Sequence, residues 1–104
     1  MSVLARIEKH ISDHRIVLFM KGNATFPQCG FSGKVVSVLN ALGAKYFVVD
    51  VLQDEEIREG IKSFSNWPTI PQLYINGDFV GGCDIILDLH ESGDLAKMLE
   101  ISSK

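Results

Sequence analysis

Cys29-Gly30-Phe31-Ser32 sets a thiol and a hydroxyl three residues apart. A dithiol redox site carries a second cysteine where Ser32 stands. Serine is close to cysteine in size but forms no disulfide, so Cys29 has no local partner to resolve a mixed disulfide. Three roles stay open: attack as a thiolate, ligation of a soft metal, or a structural place in the core. A cysteine at a helix N-terminus is stabilised as the thiolate, because unpaired backbone N–H groups and the macrodipole favour negative charge there. Lys21, ending the apolar run before it, adds positive charge. A thiolate is both nucleophile and metal ligand, so this reasoning does not choose between the two.

Trp67-Pro-Thr-Ile-Pro-Gln72 is a second candidate. Pro71 just ahead of an apolar run removes an N–H and stiffens the turn. A cis bond before it would leave the Ile70 backbone facing outward, free to pair with an extended peptide. The alternative is that the prolines only punctuate a loop. Gly81-Gly82-Cys83-Asp84 is the third. Its glycines allow close backbone approach to a ligand, and a following helix start offers N–H groups to a carboxylate. Asp84 can cap that helix and also hold an ammonium group.

The elements that must position these residues follow from periodicity. Val3, Leu4, Ile7 and Ile11 form a helical stripe ended by Asp13 and His14. Ile16–Met20 is short, continuous and partly β-branched, the pattern of a buried strand. Val35, Val38, Leu39 and Leu42 predict a helix after Cys29, stopped by Gly43. Tyr46–Val51 predicts a strand. Asp54-Glu55-Glu56 opens a helix with Ile57, Ile61 and Phe64 on one face. Asn76-Gly77 joins Leu73–Ile75 to Phe79-Val80 as a hairpin. Asp84 opens a helix with Ile85, Ile86 and Leu89 inward, and Asp94 opens a last one with Leu95, Met98 and Leu99. The order α-β-α-β-α-β-β-α-α predicts an α/β fold, a four-stranded mixed sheet flanked by helices on both faces.

The chain has 104 residues, 46% hydrophobic and 22% charged, which suits a single domain over 1–104. With a net charge of −3 and no basic run or RNP-like segment, nucleic acid is not an expected partner. No apolar stretch is long enough for a membrane span. Two cysteines make no secreted disulfide scaffold, and residues 1–13 carry Glu8 and Asp13 without the apolar core of a signal peptide, so the expected location is the cytoplasm. His10, His14 and His90 are scattered, with no zinc-like spacing.

Lys21-Gly22, Cys29-Gly-Phe-Ser32, Trp67-Pro-Thr-Ile-Pro-Gln72 and Gly81-Gly-Cys-Asp84, in this order and spacing, resemble a monothiol glutaredoxin of the C-G-F-S class. The resemblance runs from the first helix to the last and implies a thioredoxin-like fold with a glutathione groove. By position, Lys21 and Arg58 meet the glycyl carboxylate and Ile70 pairs its backbone with the cysteinyl part. Cys83 by its backbone N–H, and Asp84 also by its side chain, hold the γ-glutamyl end. Arg58 and Lys62 lie on one helical face, which suits an acidic peptide. The resemblance further implies a [2Fe-2S] cluster bridging a homodimer, held by Cys29 of each chain and two glutathione thiolates, four sulfurs in all. Iron-sulfur acceptor proteins and a BolA-type partner are the implied contacts. The rival function is a glutathione-dependent thiol-disulfide oxidoreductase using Cys29. The resemblance favours the carrier, with at most weak oxidoreductase activity. A redox sensor with a Cys29–Cys83 disulfide is a third reading; against it, Cys83 can be a half-buried apolar filler.

Overall fold

A computed structural model of the chain describes residues 2–102. Helix α1 (Val3–Asp13) leads to β1 (Ile16–Met20), α2 (Gly30–Ala41) and β2 (Phe47–Asp50). A short 3-10 turn, Val51–Gln53, precedes α3 (Glu55–Ser65); then come β3 (Gln72–Ile75), β4 (Asp78–Gly81), α4 (Cys83–Ser92) and α5 (Asp94–Ser102). The four strands lie in the order β2-β1-β3-β4. β1 pairs parallel with β2 and antiparallel with β3, and β3 pairs antiparallel with β4. This is the expected mixed sheet.

The continuous apolar run of β1 is explained by burial on both faces. Ile16, Leu18 and Met20 pack with Val35, Leu39, Ile86 and Leu95, the layer of α2, α4 and α5. Val17 and Phe19 pack with Ile7, Ile11, Ile57 and Ile61, the layer of α1 and α3. Alternate side chains of a strand point to opposite faces, so a central strand between two helical layers has no polar positions. The hairpin turn forms at Asn76 and Gly77, with φ of 52° and 84°, the two positive values its turn type requires.

Four expectations are corrected. Leu4 is exposed, outside the buried stripe of α1. β2 begins at Phe47, because Tyr46 is drawn to α2 by its hydroxyl bond to Asn40 Oδ1, and Val51 belongs to the 3-10 turn. Helix α4 opens one residue before Asp84: Gly82 is its N-cap and its carbonyl accepts from the Ile86 N–H. Asp84 therefore sits in the first turn and caps nothing. Ile85 is exposed, since Cys83 and Ile86 carry the buried face of that helix. Among the described residues no helix is long and apolar enough to cross a membrane.

Candidate functional site

The chain leaves β1 at Lys21 and folds back before α2 begins. Gly22 has φ +88°, and a Cβ there would lie 2.5 Å from the Phe26 carbonyl oxygen and 2.7 Å from the Gln28 nitrogen. Only glycine fits so close a crossing. Gln28 N–H returns to the Lys21 carbonyl at 2.9 Å, and Gly22 N–H reaches Asp50 Oδ1 at 3.0 Å. Asn23 Oδ1 accepts from the backbone N–H groups of Thr25 and Phe26 at 3.0 and 2.8 Å, an Asx turn that holds the loop. These bonds deliver Cys29 to the N-cap of α2 in extended conformation, φ −148° and ψ 136°.

Cys29 is partly exposed and is a free thiol. Its acidity is raised, so its pKa falls below the ordinary thiol value. The largest cause is the Ser32 backbone N–H; partial burial opposes it, and the Phe31 N–H, the Lys21 charge and the Ser32 hydroxyl add to it. The neutral thiol makes no capping hydrogen bond, so these amides act on the charge that appears on ionisation. Ser32 itself is fully buried, and its Oγ accepts from the Lys21 N–H at 3.2 Å.

Next to this helix start lies a cavity of about 390 Å³ whose lining includes Lys21, Lys62, Ile70, Gly82, Cys83 and Asp84. Phe31 and Ile85, both exposed, also line it. Cys29 stands outside this lining, flanked by its neighbours Lys21 and Phe31. Arg58 is half-buried on α3 and is likewise not in the lining; Lys62, one turn further along, is. Lys62 pairs loosely with Glu59 at 3.6 Å. Its position four residues after Arg58 was the sequence signal that both cations share a face.

The opposite wall is built by close packing. The Ile70–Pro71 bond is cis. A Cβ on Gly82 would come within 2.9 Å of Trp67 Nε1 and 3.4 Å of the Pro71 carbonyl oxygen, so Trp67 locks against the glycine pair. Gln72, fully buried, donates to the carbonyls of Trp67 and Thr69 at 3.2 and 3.1 Å, and Tyr74 donates to its Oε1. Periodicity passed over Gln72; its signal was an amide at the head of an apolar run. Trp67 Nε1 is buried with no hydrogen-bond partner among the described residues. Cys83 is buried, and its pKa is raised, first by burial and then by the Asp84 charge, with Lys34 opposing. His10 and His14 stack on Phe47, away from this cavity.

A cysteine capping the helix after the first strand, under a mixed sheet with a cis-proline turn beside it, defines a thioredoxin-like protein. The family model described as Glutaredoxin matches residues 16–80. An uncharacterized monothiol glutaredoxin ycf64-like of Synechocystis is 53% identical over 98 residues, 94% of this chain and 92% of that one. Reduced poplar apo GrxS14 superposes with a TM-score of 0.82 at 46% identity, over 95% of this chain and 91% of that one. A buckwheat glutaredoxin–glutathione complex does so with a TM-score of 0.87 at 25% identity, over 97% and 90%. The chain belongs to the glutaredoxin family, on its monothiol side.

Proposed function

We propose that this chain binds glutathione beside Cys29, and that two copies hold a [2Fe-2S] cluster between them as cargo for iron-sulfur acceptor proteins. The observation that supports this most is the cavity next to the Cys29 helix start, whose lining joins two lysines to an aspartate. Glutathione is an extended acidic peptide with a carboxylate at each end and an ammonium at one. Lys21, with Lys62 or Arg58 on α3, meets the glycyl carboxylate. The Ile70 backbone pairs with the cysteinyl part, and the Cys83 N–H and Asp84 take the γ-glutamyl end. The buckwheat relative solved with glutathione supports the same ligand class.

The family resemblance carries the cluster reading, and the donor set accommodates it. Among the described residues no group of three or more His, Cys, Asp or Glu could hold a metal ion. A [2Fe-2S] centre takes four sulfur ligands, so one acidic thiol per chain and one glutathione thiolate, doubled by a second copy, complete the set. Ser32 then has nothing to resolve. A reducing compartment such as the cytoplasm suits two free thiols.

The test is anaerobic reconstitution with iron, sulfide and glutathione, read by visible absorption and native mass. The unchanged protein and Cys83→Ser should give a coloured dimer that falls apart on chelation, and Cys29→Ser should give neither colour nor dimer. A protein that stays colourless and monomeric while turning over a small disulfide with glutathione is an oxidoreductase, and the carrier reading falls.

A further inference from the structure

The sheet and the loop ahead of Cys29 meet at one carboxylate. The ladder between β1 and β2 ends at the Met20–Asp50 pair, because the chain turns at Val51 into the 3-10 turn. Gly22, just past the end of β1, is buried, and its N–H needs a partner where β2 has turned away. Asp50 Oδ1 supplies it, accepting from the Gly22 N–H at 3.0 Å and from the Leu52 N–H at 3.0 Å. The same oxygen thus ends the second strand and fixes the exit from the first. Among the described residues, the other hydrogen bonds of residues 22–28 stay within residues 21–28. The loop is therefore a self-bonded unit, closed by its Gly22–Pro27 bridge and docked on the sheet through Asp50. Lys21, in the lining of the cavity, stands at one end of it and Cys29 at the other.

We propose that Asp50 is a positioning residue for the cavity: by docking the loop at Gly22, its carboxylate sets where Lys21 faces the ligand. Asp50 lies outside the cavity lining and acts through the backbone next to Lys21. Without the carboxylate the Gly22 N–H is buried and unpaired, a costly state. The unit relieves that cost by lifting off the sheet toward water, which turns Lys21 away from the cavity. The effect on the ligand is partial, because the Lys21 N–H is held separately by Ser32 Oγ at 3.2 Å. This inference rests on the glutathione reading of the cavity.

The experiment joins glutathione calorimetry to amide hydrogen exchange by NMR, on the unchanged protein, Asp50→Asn and Asp50→Ala. Asp50→Ala should speed exchange at Gly22 roughly tenfold more than at Leu18 in the centre of β1, and weaken glutathione roughly three- to fivefold. Asp50→Asn keeps an oxygen acceptor and should stay within about twofold of the parent in both. Equal acceleration at Gly22 and Leu18 in Asp50→Ala means that the carboxylate serves global stability only, and overturns the proposal. So does faster exchange at Gly22 with an unmoved glutathione affinity, or an Asp50→Asn protein as weak as Asp50→Ala. Where Asp50→Ala does not fold, the unchanged protein decides. Saturating glutathione should then slow exchange at Gly22 roughly three- to fivefold, since the loop must open against the ligand, and an unchanged Gly22 rate overturns the proposal. An unchanged protein that takes up no glutathione is a different failure, which brings down the groove reading and this inference with it.

Discussion

The first turns of α2 and α4 are built alike and treat their cysteines in opposite ways. Each follows a strand through a glycine turn that has no room for a side chain, at Gly22 in one case and Gly82 in the other. Cys29 is the N-cap of α2 and Cys83 the first residue of α4. An N-cap side chain folds back over the free N–H groups of the turn, so the sulfur of Cys29 faces amide hydrogens and its pKa falls. A first-turn residue offers its own N–H instead, and the Cys83 thiol is left in the core, where burial and Asp84 raise its pKa. One step along the helix thus separates a cysteine whose acidity is raised at the cap from one whose buried thiol is made less acidic. In this chain the helix-start amides lower the pKa of the partly exposed cap cysteine, and burial raises that of the first-turn cysteine.

The largest test of this contrast is labelling at neutral pH. Access and ionisation act together, so Cys29 should react on the order of a hundredfold faster than Cys83 with the same alkylating reagent. Comparable rates at the two peptides would break the comparison outright.

A middle-sized effect should show in stability at alkaline pH. Above the unfolded thiol value of ~8.5, the unfolded chain releases the Cys83 proton while the folded chain retains it, so stability falls as pH rises through that window. Cys29 has the opposite sign. Its contribution is complete above the unfolded value and is lost as pH falls through its depressed folded value. Urea midpoints at neutral and alkaline pH should therefore decline less in Cys83→Ala than in the parent, and more in Cys29→Ser. Equal declines in all three proteins would remove the energetic side of the contrast.

The smallest effect comes from the charges. Lys21→Gln should slow Cys29 labelling, and Asp84→Asn should speed that of Cys83, each by roughly two- to threefold and less in high salt, because both charges are open to solvent screening. Movement in the same direction at both cysteines would point to a general loosening of the fold.

Much of this was readable in the chain. The run Ile16–Met20, the Asn76-Gly77 turn and the stop at Gly43 carry their structure in local chemistry, and each element formed where its pattern placed it. Cys29 at a helix start was also readable, because a polar loop precedes it and a 3.6-residue repeat follows. The errors lie where a side chain had two ways to turn. Leu4 and Ile85 fit an apolar stripe by spacing, but α1 and α4 meet the sheet along narrower faces. Asp84 is a good capping residue by type, yet Gly82 took the cap because its carbonyl closes the first helical bond.

What the sequence alone determined is therefore the set of elements and the residue types at their ends, since hydrogen bonding within a turn or helix depends on near neighbours. The tertiary structure decided which of those ends meet. Only packing brings Lys62 of α3 to the cavity of Cys83 and Asp84, presses Trp67 against Gly82, and buries Ser32 with its oxygen on the Lys21 amide. It also gave two cysteines with similar local surroundings opposite acidities. A pKa depends on the solvent and charge that reach the group from every direction, and distant parts of the chain supply most of those directions.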